Sequence, residues 1–532
     1  MTMPDALRLY DTTLRDGAQR EGISLSVADK VRIAQALDEL GIHYLEGGWP
    51  GSNPKDAEFF SRIRQVRLRD IRVAAFGSTR RAGSRCAQDP NLKALEAAET
   101  PVVTLVGKSS VRHVERVLET TLDENLRMIE ESVAHFKQRG REVVYDAEHF
   151  FDGWREHPDY AVATLRAAAA GGADWLVLCD TNGGSLPGWV AAATAAVRAS
   201  LETPLGVHPH NDGGLAVANA LAAVEAGCRQ IQGTINGYGE RCGNLDLVPL
   251  IANLELKLGR RVLPPGRLAE LSRVSHLVAS VANLNPDAYA PYVGRSAFAH
   301  KGGIHVAAVA KLPESYQHID PAAVGNLPRV VVSELAGRGA VRLRAETLGL
   351  ATGGGEGEVL QEIKELEHGG YQFEGADGSF EMLVRRRAPG YRPPFELVEY
   401  TVLVEKRSGQ DVKAQATVKL RVGSQVLHTA AEGAGPVNAL DVAVRKALVP
   451  IFPDLAQVHL VDYKVRIVDD HLATAAKPRV VIESACGVER WTTVGCSENI
   501  IEASWLALRD SLELALLRLG VRSSVPSAGQ VA

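Results

Sequence analysis

The residues with chemical reach stand at the ends of hydrophobic runs. LYDTTLRDGAQ begins as a buried strand and finishes on Thr12, Thr13, Arg15 and Asp16, with Gly17 where the chain can turn away. VHPHND carries His208 and His210 two apart, and the period-two alternation of a strand puts both rings on one side. That is a metal-ligand geometry, although an HxH by itself is equally the polar end of an ordinary strand. Asn244, in GERCGN, adds an amide. Two imidazoles, the Asp16 carboxylate and an amide oxygen make a mixed N/O donor set without thiolate, suited to Mn²⁺, Mg²⁺, Co²⁺ or Zn²⁺. Coordination positions would stay open for a 2-oxo acid held by its keto and carboxylate oxygens, which is Lewis-acid chemistry on a carbonyl.

Such residues need a scaffold that gathers strand ends. Through the first half of the chain, eight short β-rich runs alternate with helical stretches: LRLYDTTL, HYLEGGW, IRVAAF, PVVTLVG, EVVYDAEHF, DWLVLCD, LGVHPH and QIQGTIN. The helical stretches include VADKVRIAQALDEL, with Gly41 as its C-cap, and LDENLRMIEESVAHFKQRG. This interval is that of a βα unit, and eight units in about 250 residues predict a (β/α)8 TIM barrel ending near residue 260. A doubly wound open sheet is the alternative, but it would more often have a Gly-rich first turn where this chain has RDGAQ. In a barrel, the strand ends and the loops after them form the mouth. Here they are Arg15 and Asp16, Glu46, Glu148 and His149, Asp180 and Thr181, His208 and His210, then Glu240, Arg241 and Asn244. Charged groups drawn together this way repel or desolvate one another unless they share a ligand.

After the barrel, LAELSRVSHLVASVANLN reads as a helix and the Gly-rich residues 299–306 as a loop. ATGGGEGE and HGGYQFEGADGS bracket the helical VLQEIKELEH and mark flexible ground over residues 351–380. A new α+β domain starts after PGYRPPF, with the strands YTVLVEK, AQATVKLRV, YKVRIV and RVVIES. Two similar helices, NALDVAVRKAL and NIIEASWLALRDSL, each follow a glycine-containing turn, so an internal βββα-like duplication is expected. With 532 residues the chain exceeds one hydrophobic core. A net charge of −5 and no basic tract argue against nucleic acid or an anionic membrane as partner. The six cysteines show no paired framework; with no secretory signal and no run of about 18 apolar residues, a reduced, cytoplasmic setting is expected.

DTTLRDG, HPHND, GTINGYGERCGN, KGGIHV and YQHIDP, in that order, resemble the 2-isopropylmalate, homocitrate and citramalate synthases, a metal-dependent branch of the (β/α)8 barrels. Within that family, GWPGSNPKD, YDAEHFFDGW, LCDTNGG and GPVNALD are most similar to the members that make citramalate from pyruvate and acetyl-CoA. The resemblance covers nearly the whole chain. It implies a catalytic barrel over residues 1–265, a linker subdomain contributing to the active site over 266–393, and a regulatory effector-binding domain over 394–522. It further implies a homodimer in isoleucine biosynthesis, with isoleucine as effector.

Residue by residue, the resemblance implies that Asp16, His208 and His210 bind the divalent cation, with Asn244 a fourth ligand. Arg15 would stabilise the forming alkoxide, a task worth about 3 kcal/mol for one such donor; a salt bridge with Glu46 or Asp16 is its structural alternative, and both can hold at once. Thr181 would donate to the substrate carboxylate, or else be a strand-end hydroxyl bonded to backbone. Glu148 and His305 are the candidate bases for the methyl proton of acetyl-CoA, with Tyr316 to orient or relay. Arg80, Arg81 and Lys108 are candidates for the phosphates of CoA. Two departures stand out: GKSSVRHV lacks the aromatic residue expected after GKS, and HLATAAKPRV has alanines in place of a Gly-Asp turn. The competing readings are a synthase for another 2-oxo acid such as that of 2-isopropylmalate, a metal-dependent C–C lyase, and a non-catalytic sensor. The duplicated C-terminal module argues against a lyase, and a general base argues against a sensor.

Overall fold

Eight parallel strands close into a barrel in sequence order: β1 (Arg8–Asp11), β2 (Tyr44–Glu46), β3 (Arg72–Ser78), β4 (Val102–Lys108), β5 (Glu142–Glu148), β6 (Trp175–Asp180), β7 (Leu205–Pro209) and β8 (Gln230–Gly233). β1 closes the ring against β8, with Tyr10 beside Gln232 and Asp11 beside Gly233. The computed structural model describes residues 6–468, 476–487 and 489–520. The HLATAAKPRV departure falls largely on residues 471–475, outside them.

The expected eight strands are all present, because runs such as VVTLVGK and WLVLCD are buried on both faces, as parallel strands between a core and a shell of helices must be. Leucines, isoleucines and phenylalanines from strands and outer helices form one large core. Inside the ring, Tyr10, Tyr44, Ala74, Val102, Val144, Val177 and Cys179 form a second. Tyr10 and Tyr44 stack at 5.7 Å, and the Tyr10 hydroxyl donates to Glu46 Oε2 at 2.7 Å, making a floor beneath the mouth. The first helix, Val27–Leu40, opens on a capping box between Ser26 and Asp29 and stops at Gly41. That stop requires glycine: φ is +100°, and a Cβ there would lie 2.2 Å from the Pro264 ring.

By its contacts the chain divides into two units, residues 1–298 with 319–328, and residues 299–318 with 329–532. In the second unit, the residues expected as a Gly-rich loop include a short strand, Ala299–His300, and the start of a helix, Gly303–Lys311. The glycine pair begins that helix because Gly302 is its extended N-cap, after which IHVAAVAK propagates it. The ground expected to be flexible up to residue 380 likewise contains the start of a buried helix, Asp377–Arg386. Ser379 Oγ donates to Asp510 at 2.8 Å and Arg518 bonds Glu381 at 2.6 Å, tying that helix to the last one.

The C-terminal part is a duplicated βββα arrangement. Strands Glu396–Glu405, Lys413–Val422 and Gln425–Gly433 precede helix Pro436–Leu448; strands Val458–Ile467, Pro478–Cys486 and Glu489–Cys496 precede helix Ile500–Arg518. Each half is an antiparallel sheet in chain order. The first strand of each half carries a register shift near its start, at Leu397/Glu399 and Leu460/Asp462. The third strand of each half, QVLHTAAEG and ERWTTVGC, was not in the sequence-based set of runs. Among the described residues, no helix is long and apolar enough to cross a membrane.

Candidate active site

The strand ends of the barrel surround a cavity of about 1040 Å³. Its chemistry begins where β1 stops. The buried Asp11 carboxylate accepts from Thr13 N and Thr13 Oγ1 at 2.9 and 2.8 Å, and Ile235 N donates to Thr13 Oγ1 at 2.9 Å. This turn delivers Arg15 and Asp16 to the cavity wall. The Arg15 guanidinium bonds both Asp16 and Glu46 and lies 3.7 Å above the Phe76 ring. Burial works against the cation, but the two carboxylates outweigh it and its pKa is raised. Burial likewise pushes Glu46 up, with Asp16 adding to it, while Arg15 draws Asp16 below the ordinary carboxylate value against the effect of burial.

Across the mouth, at the end of β7, the His208 and His210 rings stack with centroids 5.3 Å apart. His208 Nε2 is 3.4 Å from Asp16 Oδ2 and 3.0 Å from the Asn244 amide nitrogen. Burial, reinforced by His208, holds His210 neutral with its pKa down to about 3. His210 Nδ1 is 3.2 Å from Arg241, whose guanidinium is itself held by Asp212. Two oxygens here are buried without any hydrogen bond: Asp16 Oδ2 and Asn244 Oδ1. Leaving such acceptors dry costs about 1–3 kcal/mol each, and a cation among them would satisfy both. Among the described residues, no cluster of three or more His, Cys, Asp or Glu side chains already stands ready to hold a metal ion. The donors nonetheless fit in kind: neutral imidazole, carboxylate and amide oxygen.

Thr181 Oγ1 accepts the His149 backbone N–H at 2.8 Å, which is the strand-end bond weighed above; its own proton remains to donate. Glu148 lines the cavity and is ion-paired with Lys108. His305 and Tyr316 lie in the second unit, His305 exposed on helix Gly303–Lys311, their rings stacked at 4.3 Å. Arg80 is buried between Glu124 and Glu131, each at 2.7 Å, and so is already occupied, whereas Arg81 is exposed at the cavity edge. Ser110, where an aromatic residue was expected, is buried and begins helix Val111–Arg116.

Residues 6–278 match the HMGL-like family, 292–370 the homocitrate synthase post-HMGL domain-like family, and 374–516 the LeuA allosteric (dimerisation) domain. The (R)-citramalate synthase of Streptomyces coelicolor is 51% identical over 98% of this chain and 98% of its own. The chain belongs to the 2-isopropylmalate, homocitrate and citramalate synthase family. It is an enzyme of that family. The (R)-citramalate synthase of Aquifex aeolicus is 48% identical over 97% of this chain and 99% of its own, and the probable 2-isopropylmalate synthase of Methanopyrus kandleri 32% over 94% and 97%.

Three side chains at this candidate site escaped sequence reasoning. Phe76 is the platform beneath Arg15. Asp146, two residues before Glu148 on β5, lines the cavity with its pKa pushed by burial to about 7. Gln232 bonds His208 Nδ1 at 2.7 Å. The alternation in QIQG, which puts Gln230 and Gln232 on one face of a strand, was the available signal for the last.

Proposed function

We propose that the chain condenses acetyl-CoA with pyruvate and water, giving (R)-citramalate and CoA. The observation that carries this reading is the pair of buried, unbonded oxygens, Asp16 Oδ2 and Asn244 Oδ1, on the two residues that approach His208 Nε2, with Asp16, His208, Arg15 and Thr181 lining one cavity. Identity near one half with (R)-citramalate synthases over nearly full length supports pyruvate as the 2-oxo acid. Asp16, His208, His210 and Asn244 would hold a divalent cation, Mn²⁺, Mg²⁺, Co²⁺ or Zn²⁺. Bound there, it would withdraw electron density from the ketone.

The protein's own groups divide the remaining work. Arg15 has Nε and Nη1 committed to carboxylates, which fixes the plane of the guanidinium and leaves Nη2 to donate to the oxygen that gains charge as the new C–C bond forms. Thr181 donates to the pyruvate carboxylate. Glu148 from the barrel and His305 from the second unit, with Tyr316 stacked on it, are the candidates to take the methyl proton of acetyl-CoA. Hydrolysis of the resulting thioester releases CoA and draws the reaction forward. The same reading assigns residues 1–265 to the catalytic barrel, 266–393 to the linker subdomain and 394–522 to the regulatory domain of a homodimer that isoleucine inhibits. The match of residues 374–516 to an allosteric, dimerising domain supports that regulation. The free cysteines support a cytoplasmic setting.

The test is release of free thiol by purified protein with Mn²⁺, acetyl-CoA and, separately, pyruvate, 2-oxoisovalerate or 2-oxoglutarate. Release with pyruvate above the other two is expected. Release with 2-oxoisovalerate alone would reassign the substrate within the family. Isoleucine is expected to slow the pyruvate reaction; an unchanged rate would remove it as effector.

A further inference from the structure

Gln232 has no part in the reaction as written above. It lies on β8 with its side chain fully buried inside the barrel. Its carbonyl Oε1 is 2.7 Å from His208 Nδ1, and its amide nitrogen donates to Asp146 Oδ1 and to Gln230 Oε1, both at 3.1 Å. Asp146 decides which way round the amide lies, since the Gln230 amide, its nitrogen free of any hydrogen bond, can itself turn to suit. Turned over, the Gln232 oxygen would face the Asp146 oxygen while its NH₂ met the ring. A carbonyl facing Nδ1 is satisfied only by an N–H, so the neutral ring carries its proton on Nδ1 and its lone pair on Nε2. Nε2 is the atom that faces Asp16 Oδ2 at 3.4 Å, one of the two oxygens left without a bond.

We infer that Gln232, held by Asp146 and Gln230, is a positioning residue that presents His208 Nε2 as a cation ligand. This rests on the proposed cation site at Asp16, His208, His210 and Asn244. The chain of effect runs from acceptor to amide to tautomer: Asp146 sets the Gln232 amide, Gln232 sets the proton on Nδ1, and that proton frees Nε2. Hydrogen bonds behind a ligating histidine commonly change metal affinity 10–100-fold when removed. A Gln232 that only filled space would, on substitution, change the stability of the barrel and leave that affinity alone.

The experiment is a calorimetric Mn²⁺ titration of the metal-stripped full chain, with thermal unfolding of each metal-free form alongside. Gln232→Met, which fills a similar volume without an acceptor, is expected to weaken Mn²⁺ binding about 10–100-fold. The double variant Asp146→Asn with Gln232→Glu exchanges donor and acceptor between the two positions and conserves net charge. It keeps an oxygen against His208 Nδ1, and the Gln230 amide, whose nitrogen has no hydrogen bond, can turn to donate to the new carboxylate. This swap is expected to return affinity to within about threefold of the parent, since the bond behind the ligand is restored. Gln232→Met binding Mn²⁺ as tightly as the parent overturns the inference, as does a swap variant that binds no better than Gln232→Met. A parent chain that binds no Mn²⁺ removes the cation site itself, and this role with it.

Discussion

Asp38 and Asp16 are both buried carboxylates in the barrel unit, and the chain treats them in opposite ways. Asp38, near the end of the first helix, accepts three backbone N–H groups, from Arg69, Asp70 and Ile71 at 2.7 to 3.0 Å, and so ties that helix to the approach to β3. Lys30 is similar: it bonds Asp56 and the Gly47 carbonyl, while Asp56 also accepts from Trp49 N at 2.9 Å. Asp16, at the mouth, keeps one oxygen without a hydrogen bond, and Asn244 does the same beside it. Satisfied buried charge holds a fold together, whereas an unsatisfied buried polar group costs about 1–3 kcal/mol, and more when charged, and points to a ligand that would relieve it.

That contrast can be broken at its satisfied end first. Lys30→Met leaves Asp56 buried beside an apolar chain, and removing one partner of a buried pair costs about 3–5 kcal/mol. The urea midpoint of the barrel is expected to fall accordingly, with thiol release per folded molecule largely retained. An unmoved midpoint would mean that this pair contributes little and that satisfaction is a poor marker of structural charge.

At the other end stands Arg15. Arg15→Lys keeps one positive charge but loses the planar fork between Asp16 and Glu46. Thiol release is expected to fall about 10²–10³-fold, the loss typical of one donor to a developing oxyanion, with the urea midpoint moved far less than in Lys30→Met. A variant whose stability collapses along with its rate would place Arg15 with the structural charges and erase the distinction.

How much of this was legible in the chain follows the range of the interactions. The strands were legible because burial on both faces leaves unbroken β-branched and aliphatic runs, and the ligand candidates because a barrel brings every strand end to one rim. Residues whose role depends on register across the ring were not. Phe76 reaches Arg15 only because β1, β2 and β3 are neighbours in a closed sheet. Gln232 reaches Asp146 across the barrel interior, from β8 to β5. At residues 302–303 local chemistry misled: adjacent glycines signal a loop, yet the pair opens helix Gly303–Lys311, whose later residues Ala307, Ala308, Ala310 and Lys311 are good helix formers.

The smallest expected effect separates a buried group that is satisfied only while neutral from those satisfied as ions. His43, just before β2, accepts the Leu9 N–H on Nδ1 at 3.1 Å, and burial, with Arg8 adding to it, lowers its pKa from 6.5 to about 4. For a base depressed on folding, the contribution to stability is complete above the unfolded value of 6.5 and is lost as pH falls through the interval down to about 4, because the unfolded chain takes up the proton first. The parent's urea midpoint is therefore expected to drop between pH 7 and pH 4.5 by more than that of His43→Asn, whose amide oxygen can accept the Leu9 N–H at every pH. The difference between the two slopes isolates His43 from the mouth carboxylates, which titrate in both proteins. Equal slopes would show that His43 protonates as readily in the folded barrel as in the unfolded chain, and that its bond to Leu9 places no constraint on its charge.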